Sequence, residues 1–119
     1  MQVLQAKLKN ALIDDLKNLL LRNDFEVVHR EKNRNFMRKF RLNKSKIRDI
    51  LLALNQDDYY GYDSDENQNE YGQAPIIMFI VKTVLINFHG VEEEIEIYIK
   101  IKVRREGILP VISFHQAEF

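Results

Sequence analysis

The 119-residue chain contains no cysteine and no tryptophan, only two prolines and four glycines, and its 18 basic residues cancel its 18 acidic ones. Without cysteine it has no disulfide framework, zinc knuckle or thiol nucleophile, and a reducing cytoplasm is its expected compartment. So little proline and glycine speaks against a disordered chain. Its apolar runs stop well short of the roughly 18 residues that a membrane span requires, so no membrane partner is expected. The first residues do not resemble a secretory signal either, because Gln2, Gln5, Lys7 and Lys9 interrupt them. What remains is a single ordered domain over residues 1–119, long enough for one hydrophobic core and too short for a second.

The neutral sum hides segregation. Nine basic residues lie between Arg30 and Arg48 with Glu31 as the only acid, while Asp57 to Glu70 holds six acids and no base. Such polarity predicts a positive face, an acidic loop, or pairing between the two. The basic stretch can track an RNA backbone or dock on an acidic partner.

Leu4, Leu8, Leu12, Leu16, Leu19 and Leu20 recur at helical spacing and predict a helix over 3–22, ended by turn chemistry at Asn23-Asp24. Residues 25–29 read as a short edge strand and 33–40 as a brief helix. A clearer helix runs from an Asn43 or Ser45 cap through Leu54. Residues 61–75 read as a loop. After Pro75 the period changes from 3.6 to 2. Residues 76–88 are almost continuously apolar, as in a strand covered on both faces. From Glu94 to Arg104 the alternation is strict, with Ile95, Ile97, Ile99, Ile101 and Val103 on one face. Turns at His89-Gly90 and at 105–108 and a final strand over 109–115 complete the chain. The expected fold class is α+β, with N-terminal helices packed on one face of a C-terminal antiparallel sheet.

The register of the last hairpin follows from parity. Ile112 and Phe114 belong on the isoleucine face, so Ser113 and His115 join the polar face. With a four-residue loop at 105–108, Tyr98 falls opposite His115 and Lys100 opposite Ser113. Lys82 joins that face opposite Tyr98 if the connection at 88–92 holds three residues, and leaves it if His89-Gly90 is a two-residue turn. A phenol, an imidazole, ammonium groups and a hydroxyl on one face suit metal-independent RNA cleavage, which needs no cofactor. Histidine, with an ordinary pKa near 6.5, serves as base or acid for the 2′-hydroxyl and the 5′-oxygen. Lys100 and Lys102 supply fixed positive charge to the phosphorane, and Tyr98 donates to a phosphate oxygen or stacks on a base. The bland alternative is a solvated sheet face.

Other chemistry is poorly supported. Asp63-Ser64-Asp65-Glu66-Asn67 imitates the start of a calcium loop, but Gln68 stands where glycine is required and Ala74 where the closing glutamate belongs. Glu92-Glu93-Glu94 alternates between faces, and His29 and His89 lack metal-ligand spacing, so no metal site is expected.

Arg30-Glu31-Lys32-Asn33, Leu54 to Tyr60, Glu96-Ile97-Tyr98-Ile99-Lys100 and Ile112-Ser113-Phe114-His115-Gln116-Ala117-Glu118 occur in an order that resembles the MqsR-family toxins of bacterial type II toxin–antitoxin modules. The likeness extends over roughly residues 25–119. It implies a RelE-like fold and an endoribonuclease, an mRNA interferase that cuts cellular mRNA at short sequences. It also implies a cognate antitoxin that neutralises the enzyme, the toxin being a monomer or antitoxin-bound. The family's strand tyrosine matches Tyr98, and the basic residue after Ser-Phe, lysine in the founding branch, matches His115. The Trp-x-Phe-Gly-Lys of related sequences reads Met78-Phe79-Ile80-Val81-Lys82, which brings its lysine to Lys82. The expected catalytic set is therefore His115, Tyr98, Lys100 and Lys82, with Arg30, Lys32, Lys102 and Ser113 holding RNA. The alternative is a non-catalytic module that binds nucleic acid or protein through the basic 30–48 face.

Overall fold

A computed structural model describes residues 6–64, 75–103 and 107–118. The leucine stripe forms α1 (Ala6–Leu21), whose Leu16, Leu19 and Leu20 are buried. Asn23, with φ of 58°, turns the chain into β1 (Phe25–Val27). There follow α2 (Glu31–Lys39) and α3 (Lys44–Leu52). Asn43 caps α3 by accepting the Lys46 N–H at 2.8 Å. A single 3-10 turn (Gln56–Asp58) leads into β2 (Tyr59–Ser64), β3 (Pro75–Ile86), β4 (Glu92–Lys102) and β5 (Leu109–Gln116).

The sheet order is β1-β5-β4-β3-β2. Strands β3 to β5 form the expected antiparallel meander, with the helices on one face of it, and β2 extends it antiparallel to β3. Ile95, Ile97, Ile99, Ile101 and Val103 pack there with Phe79, Phe114, Leu109 and Val111 against Leu16, Leu20, Phe36, Phe40, Ile47, Leu51 and Leu54. The edge strand β1 runs parallel to β5, pairing Phe25 with Leu109, so the whole sheet is mixed. Parallel neighbours require a long crossover, and everything from α2 to β4 supplies it.

Four expectations need correction. Residues 61–64 are strand, not loop, because Gly61 to Ser64 pair with Met78 to Pro75. The rest of that loop, including Asp65 to Ala74 of the calcium-like motif, lies outside the described residues, as do Arg104, Arg105 and Glu106. Strand β3 is covered on both faces only over Ile76, Ile77, Met78 and Phe79. Beyond Phe79 exposure alternates, and Lys82, Val84 and Ile86 are exposed. The β3–β4 connection spans 87–91, longer than either turn considered, because the Asn87 side-chain oxygen accepts the N–H groups of both His89 and Val91.

The fourth correction decides the site. Pairing of β4 with β5 runs regularly from Ile97–Gln116 to Lys100–Ser113, then shifts so that Ile101 faces Val111. Ile112 is the extra residue of a β-bulge. It is buried, but Val111, not Ile112, takes the place on the isoleucine face. Val111 and Phe114 lie three residues apart, so both can face the core only across such a bulge. Asn33 of α2 holds it. Its amide nitrogen donates to Ile112 O at 2.9 Å and Val28 O at 3.0 Å, and its oxygen accepts the Phe114 N–H at 2.9 Å. Asn33, 1% exposed, thus satisfies the edge of β5 where β1 has ended.

Candidate active site

Because the bulge inverts the parity of β5, Ser113 and His115 project from the face opposite the helices. Tyr98 pairs with His115 and Lys100 with Ser113, the register expected from parity and a four-residue loop at 105–108. However, β4 ends at Lys102 and β5 begins at Leu109, so the bulge rather than that loop length sets it. The Tyr98 and His115 rings lie 5.6 Å apart between centroids, tilted by 53°. His115 Nδ1 lies 2.9 Å from the carbonyl oxygen of Gln116. A carbonyl only accepts, so Nδ1 carries the proton and, in the neutral ring, Nε2 is the basic nitrogen. Burial, reinforced by the nearby Tyr60 phenol, pushes the Tyr98 phenol above its ordinary range. Tyr98 is thereby kept as a protonated hydrogen-bond donor through neutral and mildly alkaline pH.

Lys82 shares this face but stands opposite Glu96, not Tyr98; Ile80 is the residue across from Tyr98. Its amine is 3.9 Å from the Glu96 carboxylate, and its side chain is 82% exposed. Such a pair is weak and leaves the ammonium free to reorient. Lys100 is half-buried between Met78 and Ser113 across the neighbouring strands. A shallow cleft adjoins the pair, lined by Lys82, Val84, Glu94, Glu96, Gln116 and Ala117 among others. Among the described residues, no three His, Asp or Glu side chains converge as metal ligands.

The remaining candidates divide. Lys32 donates to Glu118 at 2.9 Å. That bond and the Lys32 charge hold the Glu118 carboxyl below its usual range, with His115 adding to the effect. This ties the start of α2 to the end of the His115 strand. Arg30 stands exposed at the N-cap of α2, with no contact to the pair. Lys102, expected to meet RNA, is 0% exposed. It packs at the end of the sheet where Ile76, Met78 and Ser113 are also buried, so it does not reach an RNA on the surface. Ser113 is likewise 7% exposed.

Sequence reasoning missed Tyr60 as a member of the face, and placed Glu96 there without giving it a role. Tyr60 sits at an irregularity between Tyr59 and Gly61 in the β2–β3 pairing, which spacing alone does not announce. Glu96 was legible from its parity with Tyr98. On the outer side of α2, Arg34 and Arg38 continue the line of Arg30 at four-residue intervals. All three are exposed, and no carboxylate lies within ion-pair reach of them among the described residues.

With Tyr98→Phe, the phenolic donor goes and the ring stays. Any reaction that uses this face is expected to slow about 100-fold with the melting temperature unchanged, as measured by single-turnover kinetics and thermal denaturation. No protein-family model matches the chain, and the curated proteins and solved structures hold no match to it either.

Proposed function

We propose that the chain is an endoribonuclease of the toxin type, cleaving RNA by attack of the 2′-hydroxyl on the adjacent phosphate. The supporting observation is the Tyr98–His115 pair on the face turned away from the helices. His115 Nε2 removes the 2′-hydroxyl proton as O2′ bonds to phosphorus. The imidazolium so formed returns that proton to O5′ as the P–O5′ bond breaks, leaving a 2′,3′-cyclic phosphate and a 5′-hydroxyl. Tyr98 donates to a non-bridging oxygen, while Lys100 and a reoriented Lys82 offset the charge of the phosphorane. Lys32 and Arg30 hold the flanking backbone. A cognate antitoxin that covers this face is the expected partner, and the cytoplasm the place of action.

Incubation of the protein with end-labelled RNA in EDTA tests the reading. Discrete fragments ending in 2′,3′-cyclic phosphate are expected. Intact RNA under all conditions overturns it. The Arg30, Arg34 and Arg38 row favours one alternative, a binding module that uses the basic face without catalysis. A salt-sensitive gel shift with no cleavage, lost in the triple alanine variant, supports that module instead.

A further inference from the structure

We propose that the open edge of β3 pairs with the same edge of a second copy of this chain, centred on Val84. The inference does not rest on the nuclease reading, although it turns to another partner the Lys82 ammonium that now lies 3.9 Å from Glu96 and that the nuclease reading also uses. Strand β2 covers β3 only from Pro75 to Phe79. Among the described residues, no strand pairs with the other stretch of that edge, from Lys82 to Ile86. The direction of its backbone groups follows from the hairpin. The Asn87 N–H donates to Val91 O at 2.9 Å and Asn87 O accepts the Gly90 N–H at 2.9 Å, so both Asn87 groups point toward β4. In an antiparallel pair alternate residues turn their N–H and C=O to opposite sides, which aims those of Lys82, Val84 and Ile86 at the open edge. Their side chains emerge on the polar face, with Val84 51% and Ile86 57% exposed.

This ribbon is anchored at its tip. The Phe88 N–H donates to Lys39 O at 2.8 Å, Arg41 donates to Phe88 O at 3.3 Å, and Lys39 pairs with Glu93 at 3.4 Å. It therefore presents an ordered, partly apolar edge of the kind that templates another strand.

Charge complementarity selects the second copy as the occupant. Antiparallel pairing about Val84 sets Val84 against its own counterpart and Lys82 against Ile86 of the second copy. Ile86 pairs with Glu92 inside its own hairpin. Lys82 thus lies two strand spacings, roughly 10 Å between backbones, from Glu92 of the second copy, with only Ile86 of the second copy between them. That gap is within the combined reach of a lysine and a glutamate side chain. The two-fold axis repeats the arrangement, so each exposed Ile86 is flanked by a Lys82–Glu92 pair and the two Val84 side chains meet at the centre. Both Tyr98–His115 pairs then lie on one side of a continuous sheet. A short strand interface is small, so association is expected at micromolar concentrations or above.

The chain has no cysteine, which makes a single-cysteine test clean. Opposed residues of a hydrogen-bonded antiparallel pair sit about 5.5 Å apart between Cα atoms, within disulfide range. Under mild oxidation Val84→Cys is expected to become a covalent dimer. Lys82→Cys, whose equivalents lie roughly 14 Å apart in this register, is expected to stay uncrosslinked. Sedimentation of the unaltered protein should move from 14.2 kDa toward twice that mass as concentration rises. Val84→Glu, which opposes two carboxylates on the axis, and Val84→Pro, whose lost N–H points outward and so breaks no β3–β4 hydrogen bond, should both stay monomeric with an unchanged fold by circular dichroism. A monomer at every concentration up to about 1 mM, whatever else binds the edge, overturns the proposal. So does crosslinking of Lys82→Cys as fast as Val84→Cys.

Discussion

His115→Ala is expected to lower RNA cleavage about 1,000-fold, inside the range typical of a lost general acid–base group, and to abolish growth inhibition on expression. The fold should survive, because the side chain is half-exposed and its one polar bond is to the neighbouring Gln116 carbonyl. Free imidazole added to the variant should restore part of the rate, which a purely structural role would not allow. Quantified 2′,3′-cyclic phosphate product measures both effects. Undiminished cleavage by His115→Ala removes the mechanism, even if the protein remains a nuclease by another route.

Asn33→Ala is the substitution with the largest expected effect on stability. It leaves the buried Ile112 carbonyl and Phe114 N–H without the partner that Asn33 now supplies. Unmet buried backbone groups cost roughly 1–3 kcal/mol each, and water admitted to the gap recovers part, so a net loss of about 2–4 kcal/mol is expected. At about 4 °C per kcal/mol for a domain of this size, the melting temperature should fall by roughly 8–16 °C. The same variant loosens the bulge that aims His115, so cleavage should fall even at temperatures where the protein stays folded. Thermal denaturation followed by circular dichroism, with cleavage measured well below the new midpoint, separates the two effects. A shift within 2 °C or so would mean that β5 keeps its register without Asn33.

These two residues were not equally visible beforehand. His115 could be found because parity carries face information along a strand, and Ile97, Ile99 and Ile101 marked the buried side of β4 without ambiguity. The pairing of Tyr98 with His115 followed, although by a partly mistaken premise. Regular alternation makes Ile112 a core residue of the isoleucine face, whereas the core positions on that face are Leu109 and Val111, followed by a bulge and then Phe114. Phe114 is a core residue with or without the bulge, which fixes the same parity for Ser113 and His115. Asn33 offered no such sign, since an asparagine in a short polar helix looks like any solvated residue. Its value depends on Ile112 and Phe114, which are distant in sequence and meet it only through the packing of α2 on β5. Lys102 failed for a related reason. Alternation assigns a side chain to a face, and only neighbouring segments determine whether that face is open at a given position.

The sequence by itself determined the three helices, the strands β1 and β3 to β5 in their order, the isoleucine face of β4 and the helical cover. Each depends on periodicity and turn chemistry, which act over a few residues. Tertiary structure alone decided the parallel placement of β1, the pairing of β2, the bulge at Ile112 with its Asn33 clamp, the burial of Lys102 and the stretch of β3 edge that no strand pairs with among the described residues. Those depend on which distant segments satisfy or cover a backbone edge, and hydrogen-bond satisfaction between remote parts of a chain leaves no local pattern to read.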